Sequence, residues 1–515
     1  MTFTYPDQYL LGLWKRIPKH IKITFFVTLA IGLLIHLFML TNKFPNHDDI
    51  TQMIDVLHRP QYGRWFLFFP ASFSSTFSMP WVNGFLTILY ISISSCLAVS
   101  CFQIKRPVLC VLAGVLMVSF PSVCSTFTYM QCADPYFFGM LLACLAAFFA
   151  KRFKFGFLVA IPLITLSLAI YQAYLGVVAG LVVGMLIIGI LKNQAGIKEI
   201  LINTLKYAGS LIAGTGIYIL VTRIFFGMPV IARSGFNEMG NISISEVPVL
   251  VKQAYEGMFD FFFRNSFGFH HPGLRYVFAV VALFVLLLLV MVIIKEKRYL
   301  DKVKFALLLL FIAVLPLAVN IIYVMSANST PNIIMLYSLT IIFVAVLAIV
   351  EIATQLQWKK TISRVTITIA YWLVTVVMLF GCYNYSIISN QAYFMMHFVY
   401  EQAYSYSSAL ISNIQRVEKY SPEDKIIFVG VPERAFTIGL SAELEHVRGI
   451  YTGLQNAYSF HRFLRYYMGL NQEIQTIDGE QIREMGLDKI VADMPYYPAD
   501  GSVLRVDDQI IVRFQ

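Results

Sequence analysis

Long apolar runs separated by short polar connectors dominate roughly the first three quarters of the chain. A membrane-spanning helix needs about 20 mostly apolar residues, and eleven runs approach or reach that length. The runs cover about residues 22–41, 82–102, 106–121, 135–150, 155–172, 174–191, 205–225, 274–294, 304–325, 332–352 and 364–385. The pattern predicts an α-helical polytopic membrane protein with about eleven transmembrane helices.

Two connectors are long, about residues 42–81 and 226–273, and both are rich in aromatic residues. Loops of that length are uncommon unless they are functional or disordered, and the aromatic residues favour packing at the membrane interface. The apolar pattern ends near residue 386. The sequence therefore predicts a transmembrane domain over 1–385, a connecting helix over 386–420 and a soluble domain over 421–515.

The last segment combines strand and helix patterns, which predicts a small α/β domain. Gly486 is placed to end the predicted helix over Asp478–Met485. The predicted elements are a strand over Lys425–Gly430, a helix over Asp478–Met485, a strand over Lys489–Asp493 and a hairpin of Val503–Val506 with Gln509–Phe514.

Composition agrees with a membrane protein, because 58% of the residues are hydrophobic and only 13% are charged, against about 25% charged in soluble domains. The net charge of +10 comes from cations placed in the connectors, so no nucleic-acid partner is expected. If the N-terminus is cytoplasmic, the cytoplasmic connectors hold twenty Lys and Arg and the outer ones six. This asymmetry predicts a cytoplasmic N-terminus and a C-terminal domain on the outer side of the membrane.

The seven cysteines do not form a disulfide framework or a metal-ligand spacing. Only Cys124 and Cys132, which flank a short loop, are candidates for a pair if that loop faces an oxidising space. The C-terminal domain has no Gly-rich phosphate loop, so neither a nucleotide, a metal nor another cofactor is expected. Polar residues inside the runs are few, namely His36, Asn83, Gln103, Asn320 and Glu351, which argues against an ion-coupled transporter.

The most informative polar segment follows the first apolar run, at residues 45–58. Ile50, Met53, Ile54 and Leu57 recur at helical spacing and predict an amphipathic helix at the membrane surface. Asn46 is a candidate N-cap, with the adjacent carboxylates Asp48 and Asp49 and the imidazole of His47 in the first turn.

Those two carboxylates have two interpretations. Acidic residues in a first turn complement the helix dipole, which accounts for one of them. It accounts less well for a second carboxylate beside His47, so a catalytic role stays open, with Asp48 and Asp49 as the candidate catalytic residues and His47 as a candidate for substrate binding.

Other polar residues near the outer ends are candidates for substrate binding. Arg64 is either a phosphate-binding group or an interfacial anchor with Trp65. Asp134 is either a helix cap or a second active-site acid. Tyr171 and Gln172 either line a sugar pocket or belong to the interfacial aromatic residues.

The second long connector supplies three more candidates. Arg233, Arg264 and His270 are suited to binding a phosphate group. A metal at His270-His271 is not expected, because adjacent residues do not point the same way on a helix or a strand.

Taken in order, several short motifs resemble a known family. They are Asn46-His47-Asp48-Asp49, Gly63-Arg64-Trp65, Tyr171-Gln172-Ala173-Tyr174, and Met494–Pro498 followed by the terminal hairpin. Together they are similar to bacterial and phage-borne serotype-converting glucosyltransferases, which are polytopic enzymes of the GT-C class. The second long connector has no counterpart in this resemblance.

The resemblance implies an inverting glucosyltransferase that uses a polyprenyl-phosphate-linked sugar donor at the outer face of the cytoplasmic membrane. The acceptor is then a polysaccharide or glycolipid of the cell envelope, and Asp48 or Asp49 is the base. It also implies pathway partners that synthesise and flip the donor. Two alternatives stay open: an envelope polysaccharide polymerase or ligase using diphosphate-linked donors, and a lipid or glycan transporter.

Overall fold

Helices make up most of the chain in this computed structural model, which describes residues 5–51, 62–226, 245–264, 271–325, 331–432 and 457–514, together with 444, 447, 449 and 450. Within these ranges, ten helical segments are long and apolar enough to cross a membrane. The predicted fold class is therefore confirmed. The fifth predicted run forms a shorter apolar helix, Gly156–Leu168.

The first half of the helical domain begins with an exposed amphipathic helix and ends with the longest helix before the second connector. Its helices are α1 (Pro6–Arg16), α2 (Lys19–Thr41), α3 (His47–Thr51), α4 (Phe68–Ala71), α5 (Pro80–Cys101), α6 (Pro107–Ser119), α7 (Pro121–Phe127), α8 (Ala133–Arg152), α9 (Gly156–Leu168), α10 (Leu175–Leu191) and α11 (Ile197–Phe226). Short 3₁₀ turns at Met130–Cys132 and Gln172–Tyr174 lead directly into α8 and α10.

The second half contains α12 (Val247–Phe259), α13 (Leu274–Lys295), α14 (Lys302–Val319), α15 (Ile321–Met325), α16 (Thr340–Gln355) and α17 (Thr361–Gln415). A π-helical turn, Asp260–Arg264, extends α12. Helix α17 has 55 residues and runs without a break through the predicted last span and most of the predicted connecting helix.

The C-terminal elements form a four-stranded sheet in the order β2-β1-β4-β3. Strands β1 and β2 are parallel, β1 and β4 are parallel, and β3 and β4 form an antiparallel hairpin. The elements are β1 (Lys425–Val429), α18 (Ala457–Tyr466), β2 (Ile474–Ile477), α19 (Gly479–Glu484), α20 (Asp488–Asp493), β3 (Val503–Val506) and β4 (Gln509–Arg513).

Alternate residues of the central strands face two different layers, as the period of a strand requires. Ile426 and Phe428 of β1 pack with α17 and α18, whereas Ile427 and Val429 pack with α19 and α20. The bidentate pair of Asp424 with Arg505, at 2.9 Å for both bonds, ties the start of β1 to β3.

The C-terminal domain differs from the prediction in two places. The predicted strand at Lys489–Asp493 is wrong, because these residues form helix α20. The spacing of Leu487, Val491 and Met494 places all three on the face that covers the sheet. The additional strand is β2 (Ile474–Ile477), which pairs in parallel with β1 at the sheet edge.

The predicted helix before Gly486 is confirmed, with Asp478 as its N-cap in a capping box and Gly486 at φ +67°. The predicted hairpin is confirmed as well. Cys124 and Cys132 are both free thiols, so the candidate pair is not formed.

Candidate active site

The first turn of α3 forms as its sequence predicts. Asn46 Oδ1 accepts a hydrogen bond from the Asp49 N–H at 2.8 Å, which caps the helix. The Asn46 amide donates to the carbonyl of Thr128, at the end of α7. The cap therefore also fixes α3 against the end of the helical bundle at which α7 ends.

Asp49 is a buried acid whose oxygens are occupied by protein donors. Its side chain is only 2% exposed and forms an ion pair with Lys43. The hydroxyl of Ser78 donates to it at 2.5 Å, and the Gln131 N–H donates at 3.1 Å. Asp49 thus joins three segments, which come from the end of α2, the start of α5 and the turn before α8.

Asp48, the neighbouring acid, lies in a different environment. Its side chain is 27% exposed, and its Oδ1 lies 3.6 Å from the Nε2 of His47. The His47 ring meets Tyr129 edge-on at 6.1 Å. Of the two candidate carboxylates, Asp48 is therefore the one within reach of a substrate.

Arg64 lies against two stacked tyrosine rings. The rings of Tyr136 and Tyr171 are 4.5 Å apart and nearly parallel, and the guanidinium carbon lies 5.5 and 5.2 Å from their centroids. Arg64 donates to the Tyr136 hydroxyl at 2.7 Å. The buried Nε of Arg64 has no hydrogen-bond partner in the described part of the chain.

No described carboxylate lies within ion-pairing distance, 4.0 Å, of Arg64. A fixed guanidinium with an unused donor and no counter-ion is suited to an anionic ligand. The neighbouring Trp65 is separately engaged, since its indole N–H donates to Thr222 at 3.1 Å and its ring stacks on Phe226.

Gln172 shapes the loop that carries Arg64. Its amide donates to the Tyr62 carbonyl and to the Tyr218 hydroxyl, both at 2.9 Å. Between them Gly63 has φ +70°, and a Cβ there would lie 2.3 Å from the Tyr218 hydroxyl. The structure therefore gives Gln172 a positioning contact, and its binding of a sugar stays a prediction.

Asp134 is fully buried in the first turn of α8, where it forms no cap. The Asn83 amide donates to it at 2.7 Å and to Ser74 at 3.1 Å, while Asn83 Oδ1 accepts from the Met79 N–H at 2.7 Å. The second carboxylate oxygen of Asp134 has no hydrogen-bond partner among the described residues. Asp134 thus connects the first turn of α8 to the first turn of α5.

One short segment, residues 131–136, contacts Asp49, Asn83 and Arg64. Gln131 binds Asp49, Asp134 binds Asn83, and Tyr136 binds Arg64. At about 1.5–2 Å of rise per residue, these three attachment points lie within about 10 Å along the chain. The turn into α8 therefore holds Arg64 and the acid pair, Asp48 and Asp49 of α3, in one rigid arrangement.

Sequence reasoning missed the residues that support the site. They are Lys43, Ser78, Asn83, Gln131 and Tyr136 as members of these contacts. The available signal was a polar residue at the end of an apolar run, since such a residue needs a partner when it is buried.

The C-terminal domain covers α3. Ile50 is 1% exposed and belongs to the same apolar cluster as Phe463 and Leu464 of α18. Tyr467, which follows α18, stacks on Phe463 and has a buried hydroxyl without a hydrogen-bond partner among the described residues. Burial, and to a lesser degree the charge of Asp49, raises the pKa of Tyr467.

The second long connector is only partly described, and Arg233 and His270 lie outside the described residues. Arg264 is exposed on the π-helical turn, where it pairs with Asp260 at 3.0 Å and lies over the ring of Phe259. The structure does not bring it into contact with Arg64 or the acid pair, and its predicted phosphate contact stays a prediction. Within the described ranges, no three His, Cys, Asp or Glu residues are grouped closely enough to hold a metal ion.

A family model described as glucosyl transferase GtrII matches residues 37–348 of the chain. The match includes the acid pair, Arg64 and the turn into α8, and it ends before α17 and the C-terminal domain. No curated protein and no solved structure matches the chain.

Proposed function

Because the chain belongs to the GtrII glucosyl transferase family, we propose that it transfers glucose from a polyprenyl-phosphate donor to a cell-envelope glycan at the outer face of the cytoplasmic membrane. The observation that carries this proposal is the different state of the two acids at the start of α3. One carboxylate is partly exposed, and the other is committed to the protein.

Asp48 is the base in this mechanism. A sugar hydroxyl is a weak nucleophile and needs a positioned proton acceptor, which requires an oxygen that a substrate can approach. Asp49 already accepts from Lys43, Ser78 and the Gln131 backbone, so its function is to position α3. His47 lies beside Asp48 and orients it.

Arg64 receives the phosphate of the donor. Its guanidinium is held by the Tyr136 hydroxyl and by two aromatic faces, so it is fixed before the donor arrives. A preorganised cation stabilises charge that develops on a leaving group without the cost of reorganisation. The donor's lipid tail remains in the bilayer next to the helical domain.

The reaction is a single displacement. The acceptor oxygen loses its proton to Asp48 and forms a bond to the anomeric carbon of glucose. The bond from that carbon to the phosphate oxygen breaks on the opposite side, and the electron pair leaves with the polyprenyl phosphate. One displacement inverts the anomeric configuration.

The C-terminal domain contributes to the same site in this proposal. Its α18 packs against α3, and the Tyr467 hydroxyl is buried near Asp49 with no partner among the described residues. An unsatisfied buried hydroxyl is costly, and a sugar hydroxyl or a phosphate oxygen supplies the missing bond. The domain thereby closes the site over the bound sugar.

The contacts of the intramembrane polar residues favour an enzyme over a transporter. His36 bonds to the Tyr393 hydroxyl at 2.7 Å and to the Val118 carbonyl at 3.0 Å. The Asn320 amide donates to the Ala254 carbonyl at 2.9 Å. These groups bind protein partners, as expected of structural polar residues in spans.

The test is transfer of radiolabelled glucose from polyprenyl-phosphate-glucose to the envelope glycan fraction of the source strain by the purified full-length protein. We expect Asp48→Asn to lower kcat by at least about 100-fold, the usual contribution of a general base. The matched control is Asp500→Asn, an exposed carboxylate of the C-terminal domain, which we expect to retain activity.

Full activity of Asp48→Asn would exclude Asp48 as the base. Transfer only from a diphosphate-linked glucose would instead support the polymerase or ligase alternative. Transport of labelled lipid by a protein that transfers no glucose would reject the enzymatic proposal.

A further inference from the structure

A basic cavity lies at the end of α8 opposite the candidate active site. Asp134 and Arg152 are separated by 18 residues of one helix, which is about 27 Å. The cavity has a volume of about 340 Å³, which is within the range of small-molecule sites, about 300–1,000 Å³. Because α8 is long enough to span a membrane, the cavity lies at the membrane face opposite the candidate active site, where the sequence concentrates Lys and Arg.

The cavity lining is strongly cationic. Lys151, Arg152, Lys154 and Lys206 line it together with a single carboxylate, Glu199. Within the described ranges, none of these five side chains forms an ion pair within 4.0 Å. The excess positive charge is not neutralised by the protein itself.

One of the four cations has a structural role that explains it. The Lys151 ammonium donates to the Cys101 carbonyl at 2.5 Å and so satisfies the C-terminal end of α5. The other cations do not share this role. Lys154 lies 5.6 Å from the centroid of Phe155, and Lys206 lies 5.5 Å from that of Phe157.

Two neutral amides in the lining are satisfied by each other. Gln103 and Gln194 exchange two hydrogen bonds, each of 2.8 Å, between the ends of α5 and α10. One donor of each amide is used in this pair, and the charge of the lining that would attract an anion comes from the cations. Arg152, Lys154 and Lys206 together suit a phosphate group.

Apolar side chains beside these cations are exposed. Phe153 is 54% exposed, Phe155 is 63% exposed, and Leu205 on α11 is 72% exposed. In a chain that spans a membrane, this combination of a phosphate-sized cationic cavity and an apolar rim fits a lipid better than a free ion.

We propose that this cavity binds the phosphate headgroup of an anionic membrane lipid. The headgroup occupies the space between Arg152, Lys154 and Lys206, and the acyl chains lie along the exposed apolar residues of α11. This site is separate from the glucosyl-transfer site and does not depend on the function proposed for it.

The test measures binding of phosphatidylglycerol to the purified full-length protein in a neutral detergent, by native mass spectrometry. The cavity variant carries Arg152→Gln, Lys154→Gln and Lys206→Gln. At roughly tenfold or less per cation, we expect its affinity to fall on the order of 100-fold. The control carries Lys359→Gln, Lys360→Gln and Arg364→Gln, three exposed cations just before and within the first turn of α17, and we expect it to bind as the wild type does.

Two further arms identify the ligand. Phosphatidylcholine should bind at least tenfold more weakly than phosphatidylglycerol, and inorganic phosphate should not compete. Competition by inorganic phosphate would overturn the assignment to a lipid. Equal loss of binding in the cavity and control variants would overturn the cavity as the site, because both would then report only general surface charge.

Discussion

The ion pair of Asp49 with Lys43 allows a structural role of Asp49 to be tested separately from a catalytic one. Asp49→Asn keeps the shape of the side chain and removes its charge. The Lys43 side chain is 23% exposed and loses its carboxylate partner. Breaking a fully buried pair costs about 3–5 kcal/mol, and because Lys43 retains partial hydration we expect about 2 kcal/mol.

The measurement is a double-mutant cycle with Lys43→Gln, followed by chemical unfolding of the purified protein in detergent micelles. Each single variant leaves one charged partner uncompensated, whereas the double variant leaves neither. We therefore expect the two losses in the free energy of unfolding to be non-additive, with a coupling of at least about 1 kcal/mol.

Activity gives the second half of this prediction. Folded Asp49→Asn protein should keep kcat within about tenfold of the wild type, in contrast to the loss of about 100-fold expected for Asp48→Asn. Additive losses in the cycle, with coupling below about 0.5 kcal/mol, would refute the anchoring role of Asp49. A kcat for Asp49→Asn as low as that of Asp48→Asn would refute the division of roles between the two acids.

Three further changes test other parts of the site. Arg64→Gln should lower kcat/KM for the polyprenyl-phosphate donor by about 10- to 100-fold, since a charged hydrogen bond contributes about 1.5–3 kcal/mol. Arg64→Lys should recover only part of the lost kcat/KM, because lysine lacks the planar guanidinium. Tyr467→Phe should lower kcat up to about tenfold with no loss of thermal stability, because its hydroxyl has no partner among the described residues. Arg505 lowers the pKa of Asp424 through its hydrogen bond. The pair therefore stabilises the fold at pH values above the ordinary Asp pKa, and this stabilisation is lost as the pH falls through the lowered pKa of the folded state. The difference in melting temperature between wild type and Arg505→Gln should shrink below about pH 4.

The spans and the cap of α3 follow from local sequence. Apolar runs of the length of a bilayer are one-dimensional signals, and Asn46 three residues before Asp49 is a local capping pattern that the structure confirms. These features need no knowledge of what lies elsewhere in the chain, so they were predictable.

The arrangement around the acid pair depends on contacts between distant residues. The bond from Asp49 to the Gln131 backbone joins positions 82 residues apart, and the one from Arg64 to Tyr136 joins positions 72 apart. A single sequence does not contain this pairing, so it could not reveal that Asp49 is committed while Asp48 is accessible. The different environments of the two acids depend on the packing of α5 and α8, which a single sequence does not show.

The error at Lys489–Asp493 has a different cause. Ile490 and Val491 are β-branched neighbours, which favours a strand by propensity. Burial instead follows Leu487, Val491 and Met494, which is the spacing of one helical face. The eight residues from Leu487 to Met494 carry both patterns, and the tertiary contact with the sheet decides between them.

The continuous helix α17 fixes where the C-terminal domain can stand. A bilayer takes about 20 of its 55 residues, so about 35 residues, or about 50 Å of helix, extend beyond the hydrocarbon. Val399, Ala403 and Leu410 of this extension form part of the domain's own core. The helix thus sets both the height of the domain and its azimuth about the membrane normal. One inserted residue before Val399 would turn the domain by about 100° and lift it about 1.5 Å, so the register of α17 determines whether α18 faces α3.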